Sequence, residues 1–519
     1  MAAETVREAG SETTIWMRDL EEEAEIVALA ADVAALVGPG DLVTLSGDLG
    51  AGKTAFARAL IRLLTDEPDL EVPSPAFTLM QVYEGENFPI VHADFYRIEK
   101  PQELVELGFE ESCEDALVLV EWPERAGDLL GADRLDIGLK LDKDRRQSYR
   151  AVTLTGMGSF APRLARAKAI HDVLERSGWS GAEREPMRTD ASTRSYERLV
   201  KSDGQGAILM ISPARADGPP LRYGKPYSAI AKLAEDIRPF IAIDQGLRDL
   251  GHSAPEIFAF DVAAGLAIIE DLGNQPLVDE DSIIEERYAV AVTALAHLHA
   301  ANLPDTLPVD GGEIYRVPIY DVDALSIEVE LLLDWYIPYV ACQQLASGAK
   351  ATFINLWRQA VQDVLAARPT WTLRDYHSPN LLWLAEREGI ARVGVLDFQD
   401  CVLGHAAYDV VSLLQDARVD VSEEAELRLL VHYARLRRET DPSFDMASFA
   451  RAYAILGAQR ATKILGIFVR LDERDHKPHY LAHLPRLEKY LAKDLNHPAL
   501  AELKLWFETH LPQIFSRAF

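Results

Sequence analysis

Residues 47 to 54 read GDLGAGKT, and they stand between an apolar run at 41–46 and a stretch at 54–64 whose apolar residues have helical spacing. A glycine-rich loop of this kind has meaning only in that setting of strand, loop and helix, so the motif commits its part of the chain to an α/β sheet. The backbone N–H groups of Gly47, Asp48, Leu49, Gly50, Ala51 and Gly52 are expected to wrap a polyphosphate, aided by the positive end of the following helix. Lys53 is placed to neutralise the β- and γ-phosphates of ATP and Thr54 to hold Mg²⁺.

The surrounding pattern agrees. Ile26, Leu29, Val33 and Val37 recur at three- and four-residue intervals and predict a helix over 21–37, ended by Gly38-Pro39-Gly40. Short strands are predicted at 90–96, 116–122, 134–141 and 149–155. An ATPase also needs a carboxylate near the loop to organise metal or water. Asp94 and Glu121 each close an apolar strand, in HADFYR and LVLVEW, and are the candidate catalytic acids. A strand-terminal cap or a surface ion pair is the plain alternative for either one alone.

A chain of 519 residues exceeds one ordinary core. The pattern lapses into small residues at 155–162, TGMGSFAP, and resumes with a basic helix expected over 163–177. The boundary is placed there, giving modules 1–158 and 159–519. The net charge of −30 falls mostly on the smaller module, where 14 basic residues face 32 acidic ones. Such a surface argues against a direct grip on nucleic acid, which needs clustered Lys and Arg. Cys113, Cys342 and Cys401 show no CxxC spacing, so neither a disulfide framework nor a zinc site is expected. The acidic first residues do not read as a signal peptide, and the longest apolar runs are broken by Asp32 and Asp334. A cytoplasmic protein without membrane association is the expectation.

The second module reads as a small strand-rich lobe, about 163–271, followed by a helical large lobe, about 272–519. Strands are expected at 195–201, 207–212 and 266–270, and helices at 287–299, 327–346, 350–367 and 423–438. Within LRDYHSPN, Asp375 precedes Asn380 by five residues, and Asp397 of DFQD follows seventeen later, after a strand expected at 390–396. Phosphoryl transfer to a hydroxyl needs a carboxylate to receive or orient the proton and metal ligands to gather the phosphates. Asp375 fits the first role, and Asn380 and Asp397 fit the second. Met210 occupies the place of the usual ATP-binding lysine, with Arg194 or Lys201 as candidate substitutes. Glu270, Asp271 and Gly273 mark an expected interlobe hinge, and Asp334-Trp335-Tyr336 is either a sugar-facing patch or a packing stripe.

Taken together, GDLGAGKT, SPAFTL at 74–79, HADFYR, LGFE at 107–110 and VEW at 120–122 resemble the TsaE family, the ATPase subunit of bacterial tRNA threonylcarbamoyladenosine synthesis. The resemblance implies that Lys53 and Thr54 bind phosphate and Mg²⁺. It also implies that Glu121 is a metal-associated acid, that Asp94 orients water, and that Trp122 helps shape the nucleotide site. It names TsaB and TsaD as partners, through which tRNA would be met indirectly. The family's usual S-P-T-F reads S-P-A-F here, so Ala76 has no hydroxyl to offer.

The second module is similar to the aminoglycoside-phosphotransferase-like kinases, and within them to the AmgK family, through DASTRSY, ILMI, EDLG, RDYHSPNL, DFQD and YDVVSLLQDAR. That resemblance implies a protein-kinase-like fold and ATP-dependent phosphorylation of the anomeric hydroxyl of N-acetylmuramate and N-acetylglucosamine, in cell-wall recycling. The family lacks the small-lobe lysine too, and Leu373 stands where a His usually precedes Arg-Asp. Another small alcohol of the aminoglycoside, choline or homoserine type is the alternative acceptor. A nucleotide-binding scaffold without turnover is the alternative for either module.

Overall fold

A computed structural model describes residues 13–516 apart from 23, 107–112, 114, 143, 147, 188–193, 215–217, 281 and 342–344. The LGFE motif, Cys342 and most of DASTRSY therefore lie outside the described residues. The chain divides into two compact units, Met1–Ser180 and Gly181–Phe519.

The first unit is built on a seven-stranded sheet of order β1-β7-β6-β2-β5-β4-β3. Its strands are β1 (Thr13–Leu20), β2 (Leu42–Ser46), β3 (Met80–Glu84), β4 (Pro89–Asp94), β5 (Leu117–Glu121), β6 (Leu135–Leu141) and β7 (Arg150–Met157). β6, β2, β5 and β4 run parallel, and the outer strands pair antiparallel. The central parallel strand β5 is apolar up to its terminal Glu121 because both of its faces are covered. Successive residues of β5 show it: Leu117 and Leu119 enter a core with α1 (Ala24–Ala34) and α2 (Lys53–Thr65), whereas Val118 and Val120 enter another with Phe95, Ile98 and Leu104 of the β4–α3 region, α3 being Gln102–Glu106. The carboxyl ends of β2, β4 and β5 thereby bring the loop, Asp94 and Glu121 to one edge, with Asp94 and Glu121 as register partners.

Three elements of the first unit differ from the sequence expectation. β1 and β3 are edge strands whose partly exposed residues hide the alternating pattern. The helix expected to open the second module, α4 (Phe160–Arg176), packs instead in the first unit, where Phe160 and Leu164 join the core of β1, β2 and β7. The division therefore falls at Ser180, later than the small-residue stretch ending near 158.

The second unit opens with a five-stranded antiparallel sheet of order β11-β12-β10-β9-β8. These are β8 (Glu183–Met187), β9 (Ser195–Val200), β10 (Gly206–Ile211), β11 (Ile257–Asp261) and β12 (Leu266–Ile269). The short helix α5 (Tyr227–Ala231) and the longer α6 (Arg238–Asp249) intervene, and Phe240 and Ile241 of α6 share a core with Ile208 and Met210 of β10. A helical region follows: α7 (Glu285–Ala300), α8 (Val322–Leu331), α9 (Ser347–Leu365), α10 (Ala407–Leu414), α11 (Glu423–Thr440), the 28-residue α12 (Met446–Glu473) and α13 (Leu484–Asp494). α12 and α8 touch backbone to backbone: a Cβ added at Gly466 would lie 2.3 Å from the Leu331 carbonyl carbon. The helix expected over 327–346 is broken by a π-helical turn at Leu332–Tyr336. The strand expected at 390–396 shrinks to Val393–Val395.

Burying a large apolar side chain contributes about 1.5–3 kcal/mol, so losing Phe160 and Leu164 together removes about 3–6 kcal/mol from the first unit. A fragment ending at residue 180 is expected to unfold cooperatively in urea, and one ending at 158 at a distinctly lower midpoint or not cooperatively at all. Equal midpoints would show that α4 contributes nothing to this unit.

Candidate functional site

In the first unit the loop from β2 to α2 depends on backbone shapes that only glycine adopts freely. Gly47 has φ 135°, and a Cβ there would meet the Leu139 carbonyl oxygen at 2.1 Å. Lys53 is buried, and its Nζ donates to the carbonyls of Gly47 at 2.7 Å and Asp48 at 3.0 Å. The same ammonium lies 3.8 Å from the centre of the Trp122 ring. Burial lowers the Lys53 pKa against the pull of Glu121, Glu124, Asp94 and Asp48. Trp122 is held at φ 59° directly after β5 and also meets Tyr96, ring centres 5.1 Å apart.

Both carboxylates expected at this edge are there. Glu121 accepts from the Thr54 hydroxyl at 3.0 Å through Oε2, and its Oε1 lies 3.0 Å from His92 Nε2. Asp94 accepts from Ser74 Oγ at 2.5 Å and from the Tyr96 amide at 2.9 Å. Thr54, Glu121, Asp94 and Lys53 thus form one polar cluster beside the loop. Arg150, which the sequence reading passed over, donates from Nε to the Ala51 carbonyl at 2.7 Å and braces the loop from β7. A single arginine at the start of a strand carries no spacing signal. Phe77 of the SPAFTL segment is exposed, with the Arg97 guanidinium 3.9 Å from its ring centre.

In the second unit Asp375, Asn380 and Asp397 line one cavity of about 420 Å³. Asn380 donates to the Asp375 carbonyl at 3.0 Å and lies 3.4 Å from Asp397 Oδ2. Arg194 pairs with Asp397 at 3.0 Å and donates to Gln399 at 2.7 Å, while Gln399 donates to Asp397 at 2.9 Å. Burial opposes the charge on Arg194, and Asp397, Tyr196 and Asp400 together outweigh it. Of the two candidate substitutes for the missing lysine, Arg194 reaches the Asp397 carboxylate. Lys201 instead bonds Gln205 in the turn after β9. Met210 is buried in the small-lobe core.

The loop carrying Asp375 is held from beneath. Asp409, at the start of α10, accepts the backbone amides of Leu373 at 2.8 Å and Arg374 at 2.9 Å. This fixes Arg374 at φ 69°, an uncommon conformation for a residue with a Cβ, as is the φ of 56° at Asp397. The buried Arg374 guanidinium bonds Glu328, which also takes Lys463 at 2.9 Å, Gln459 at 3.1 Å and Tyr320 at 2.5 Å. Burial raises the Asp375 pKa, but His377, Lys463, Arg460 and Arg374 together overcome it and bring it down to about 2. Glu328, Lys463 and Arg460 escaped the sequence reading. Only a carboxylate inside the apolar helix VDALSIEVEL hinted at the first.

Trp335 and Tyr336 pack on the large-lobe core, Tyr336 OH bonding Glu488 at 2.5 Å, and Asp334 faces solvent near Lys350. None of them lines the cavity, so the packing stripe is the correct alternative and the sugar-facing patch is not. In the expected hinge, Glu270 donates its amide to the Glu256 carbonyl at 2.8 Å and pairs with Arg387 at 2.5 Å.

A family model described as threonylcarbamoyl adenosine biosynthesis protein TsaE matches residues 20–149, and one for the phosphotransferase enzyme family matches residues 183–450. The N-acetylmuramate/N-acetylglucosamine kinase of Caulobacter vibrioides is 38% identical over 350 residues, covering 65% of this chain and 95% of that protein. The protein of the same name from Pseudomonas aeruginosa is 31% identical over 344 residues, covering 64% and 91%. The tRNA threonylcarbamoyladenosine biosynthesis protein TsaE of Rickettsia conorii is 42% identical over 131 residues, covering 25% and 74%. The chain belongs to the TsaE family and to the phosphotransferase enzyme family. Its TsaE match ends before α4, and its phosphotransferase match begins at β8, so α4 lies in neither. Among the described residues no helix is long and apolar enough to cross a membrane.

The low pKa of Asp375 fixes a sign for stability. The folded value lies below the ordinary 3.8, so its ionised form stabilises the fold above about pH 4, and that contribution fades as pH falls towards 2. The stability difference between wild type and Asp375→Asn is therefore expected to stay constant from pH 8 to 5 and to narrow below 4 in urea titrations. A difference that changes between pH 6 and 8 would contradict this charge state.

Proposed function

We propose that the chain joins two ATP-dependent activities. The first unit is the ATPase that supports formation of N6-threonylcarbamoyladenosine in tRNA, acting with TsaB and TsaD partners that hold the tRNA. The second is a kinase that phosphorylates the anomeric hydroxyl of N-acetylmuramate or N-acetylglucosamine. The observation that carries the kinase reading is the convergence of Asp375, Asn380 and Asp397 on one cavity, in a chain that covers 95% of its Caulobacter relative.

In the kinase, Asp375 is ionised at neutral pH and ready to accept the proton of the attacking hydroxyl. The sugar oxygen bonds the γ-phosphorus, the bridging P–O bond to the β-phosphate breaks, and ADP leaves. Arg194, already paired with Asp397, takes over phosphate neutralisation from the lysine absent at Met210. Asn380 and Asp397, whose side chains meet at 3.4 Å through Asn380 Nδ2 and Asp397 Oδ2, would offer the amide oxygen and the carboxylate to Mg²⁺. Among the described residues no group of three His, Cys, Asp or Glu side chains is poised to hold a metal alone. A sparse set is what Mg²⁺ accepts, because phosphate oxygens and water complete its shell. When bound, the ion neutralises charge on the phosphates.

In the first unit the amides of residues 47–52 and Lys53 would receive the phosphates once the ammonium leaves the Gly47 and Asp48 carbonyls. Thr54 and Glu121, 3.0 Å apart, would hold Mg²⁺ between them, and Asp94 would orient the attacking water. The acidic surface supports contact with tRNA through a partner.

Lys53→Ala or Glu121→Ala is expected to abolish rescue of threonylcarbamoylation in cells lacking their own TsaE, with sugar kinase turnover retained. Asp375→Asn is expected to do the reverse and lower kinase kcat by about 10²–10⁴-fold. Loss of both activities in either variant would argue against independent sites. Phosphorylation of an aminoglycoside or choline panel, with neither amino sugar turned over, would sink the acceptor assignment.

A further inference from the structure

The cavity around Asp375 holds more positive charge than the catalytic residues use. Arg194 is paired with Asp397, Arg374 and Lys463 with Glu328, and Arg460 lies 3.7 Å from Asp375. Two further guanidiniums line the same cavity, Arg418 just after α10 and Arg470 near the end of α12. Among the described residues neither has a carboxylate oxygen within 4 Å of its side chain. Arg470 Nε is buried without a hydrogen-bond partner, and burial lowers this guanidinium's pKa. Arg418 contacts His377 Nε2 at 3.5 Å and the faces of Phe468 and Tyr480, ring centres 5.8 and 5.9 Å away, and Arg470 lies 5.9 Å from the Tyr227 ring centre; Asp416 and Asp475 act on the two guanidiniums from beyond ion-pair distance.

A half-buried cation without a counter-ion is costly, and this chain has 83 acidic residues with which to supply one. Leaving two such cations in one cavity suits an anion brought in by a ligand. The anion would bind beside an apolar wall, because Ile464, Ile467, Phe468 and Leu471 on the inner face of α12 line the same space, with Tyr227 and Tyr480 completing it. Aromatic and aliphatic groups flanking an arginine suit a sugar ring that carries a carboxylate. The Arg194, Asn380 and Asp397 cluster, by contrast, gathers the groups suited to phosphates.

We propose that Arg418 and Arg470 form a subsite for a carboxylate on the acceptor, the lactyl carboxylate by which N-acetylmuramate differs from N-acetylglucosamine. The proposal rests on the amino-sugar kinase reading and deepens it: these arginines set the preference between the two sugars. An oxyanion in this place has a second chemical source, a phosphate of the nucleotide, and the test separates the two.

The full-length protein would be assayed with both sugars at saturating Mg²⁺-ATP, as wild type, Arg470→Gln, Arg470→Lys and Arg418→Gln. The expected result is a shift of at least tenfold in the ratio of kcat/KM values, against N-acetylmuramate, in either glutamine variant, with part of it restored by lysine. Equal losses on the two sugars would overturn the subsite while leaving the kinase intact. A rise in the KM for ATP matching the loss on N-acetylmuramate would assign the arginines to nucleotide phosphate instead. Should a variant fail to fold, wild type compared on N-acetylmuramate and its lactyl methyl ester decides the matter: at least a tenfold poorer ester supports the subsite, and equal kcat/KM overturns it. Wild type inactive on both sugars would overturn the kinase reading and this inference with it.

Discussion

The Glu328 carboxylate is the point on which the second unit turns. It is wholly buried, and it gathers Arg374, Tyr320 and, from one helix, Gln459 and Lys463, so that three separate segments of the chain meet on it. Removing any one cation would leave a buried charge short of partners, which typically costs about 3–5 kcal/mol, far more than a surface ion pair is worth. Because Arg374 immediately precedes Asp375, the network does more than hold helices together. It holds the Arg374 side chain while Asp409 accepts the backbone amides of Leu373 and Arg374, so the turn leading into Asp375 is fixed through side chain and backbone alike.

The two proposed nucleotide sites would solve the phosphate problem by opposite means. In the first unit the chain offers backbone: amides of a glycine-shaped loop at the mouth of α2, with one lysine held by loop carbonyls and an indole face. In the second the chain offers side chains, Arg194, Asn380 and Asp397, brought together from a strand end, a short turn and a residue of unusual φ. The first kind of site survives substitution around its rim but not within its glycines. The second tolerates loop variation and depends instead on each named side chain.

What could be read from sequence follows the range of the interactions involved. GDLGAGKT, the five-residue step from Asp375 to Asn380 and the buried strands β4 and β5 are local patterns; within the first unit the loop meets the ends of β4 and β5, and within the second Asn380 meets Asp375. β1 was not legible because its partner β7 lies far along the chain and its own residues alternate imperfectly between core and solvent. Nor was the allegiance of α4, whose basic residues suggested a new start while Phe160 and Leu164 were already committed to the first core. Glu328 looked like any glutamate on a helix, since a buried charge is recognised only by its distant partners. The Asp334-Trp335-Tyr336 patch misled for the converse reason: side chains suited to a sugar face the core and solvent across a π-helical turn.

The close contact at Gly466 ties these observations to how such a protein diverges. At Gly466 α12 meets α8 with no side chain between them, and the two helices carry, respectively, the apolar wall of the cavity and the carboxylate that restrains the Asp375 loop. The wall and the loop are geared to a single pair of helices. A lineage that changes its acceptor by sliding α12 would drag the base out of line, so new substrates must be won by exchanging side chains along a fixed helix.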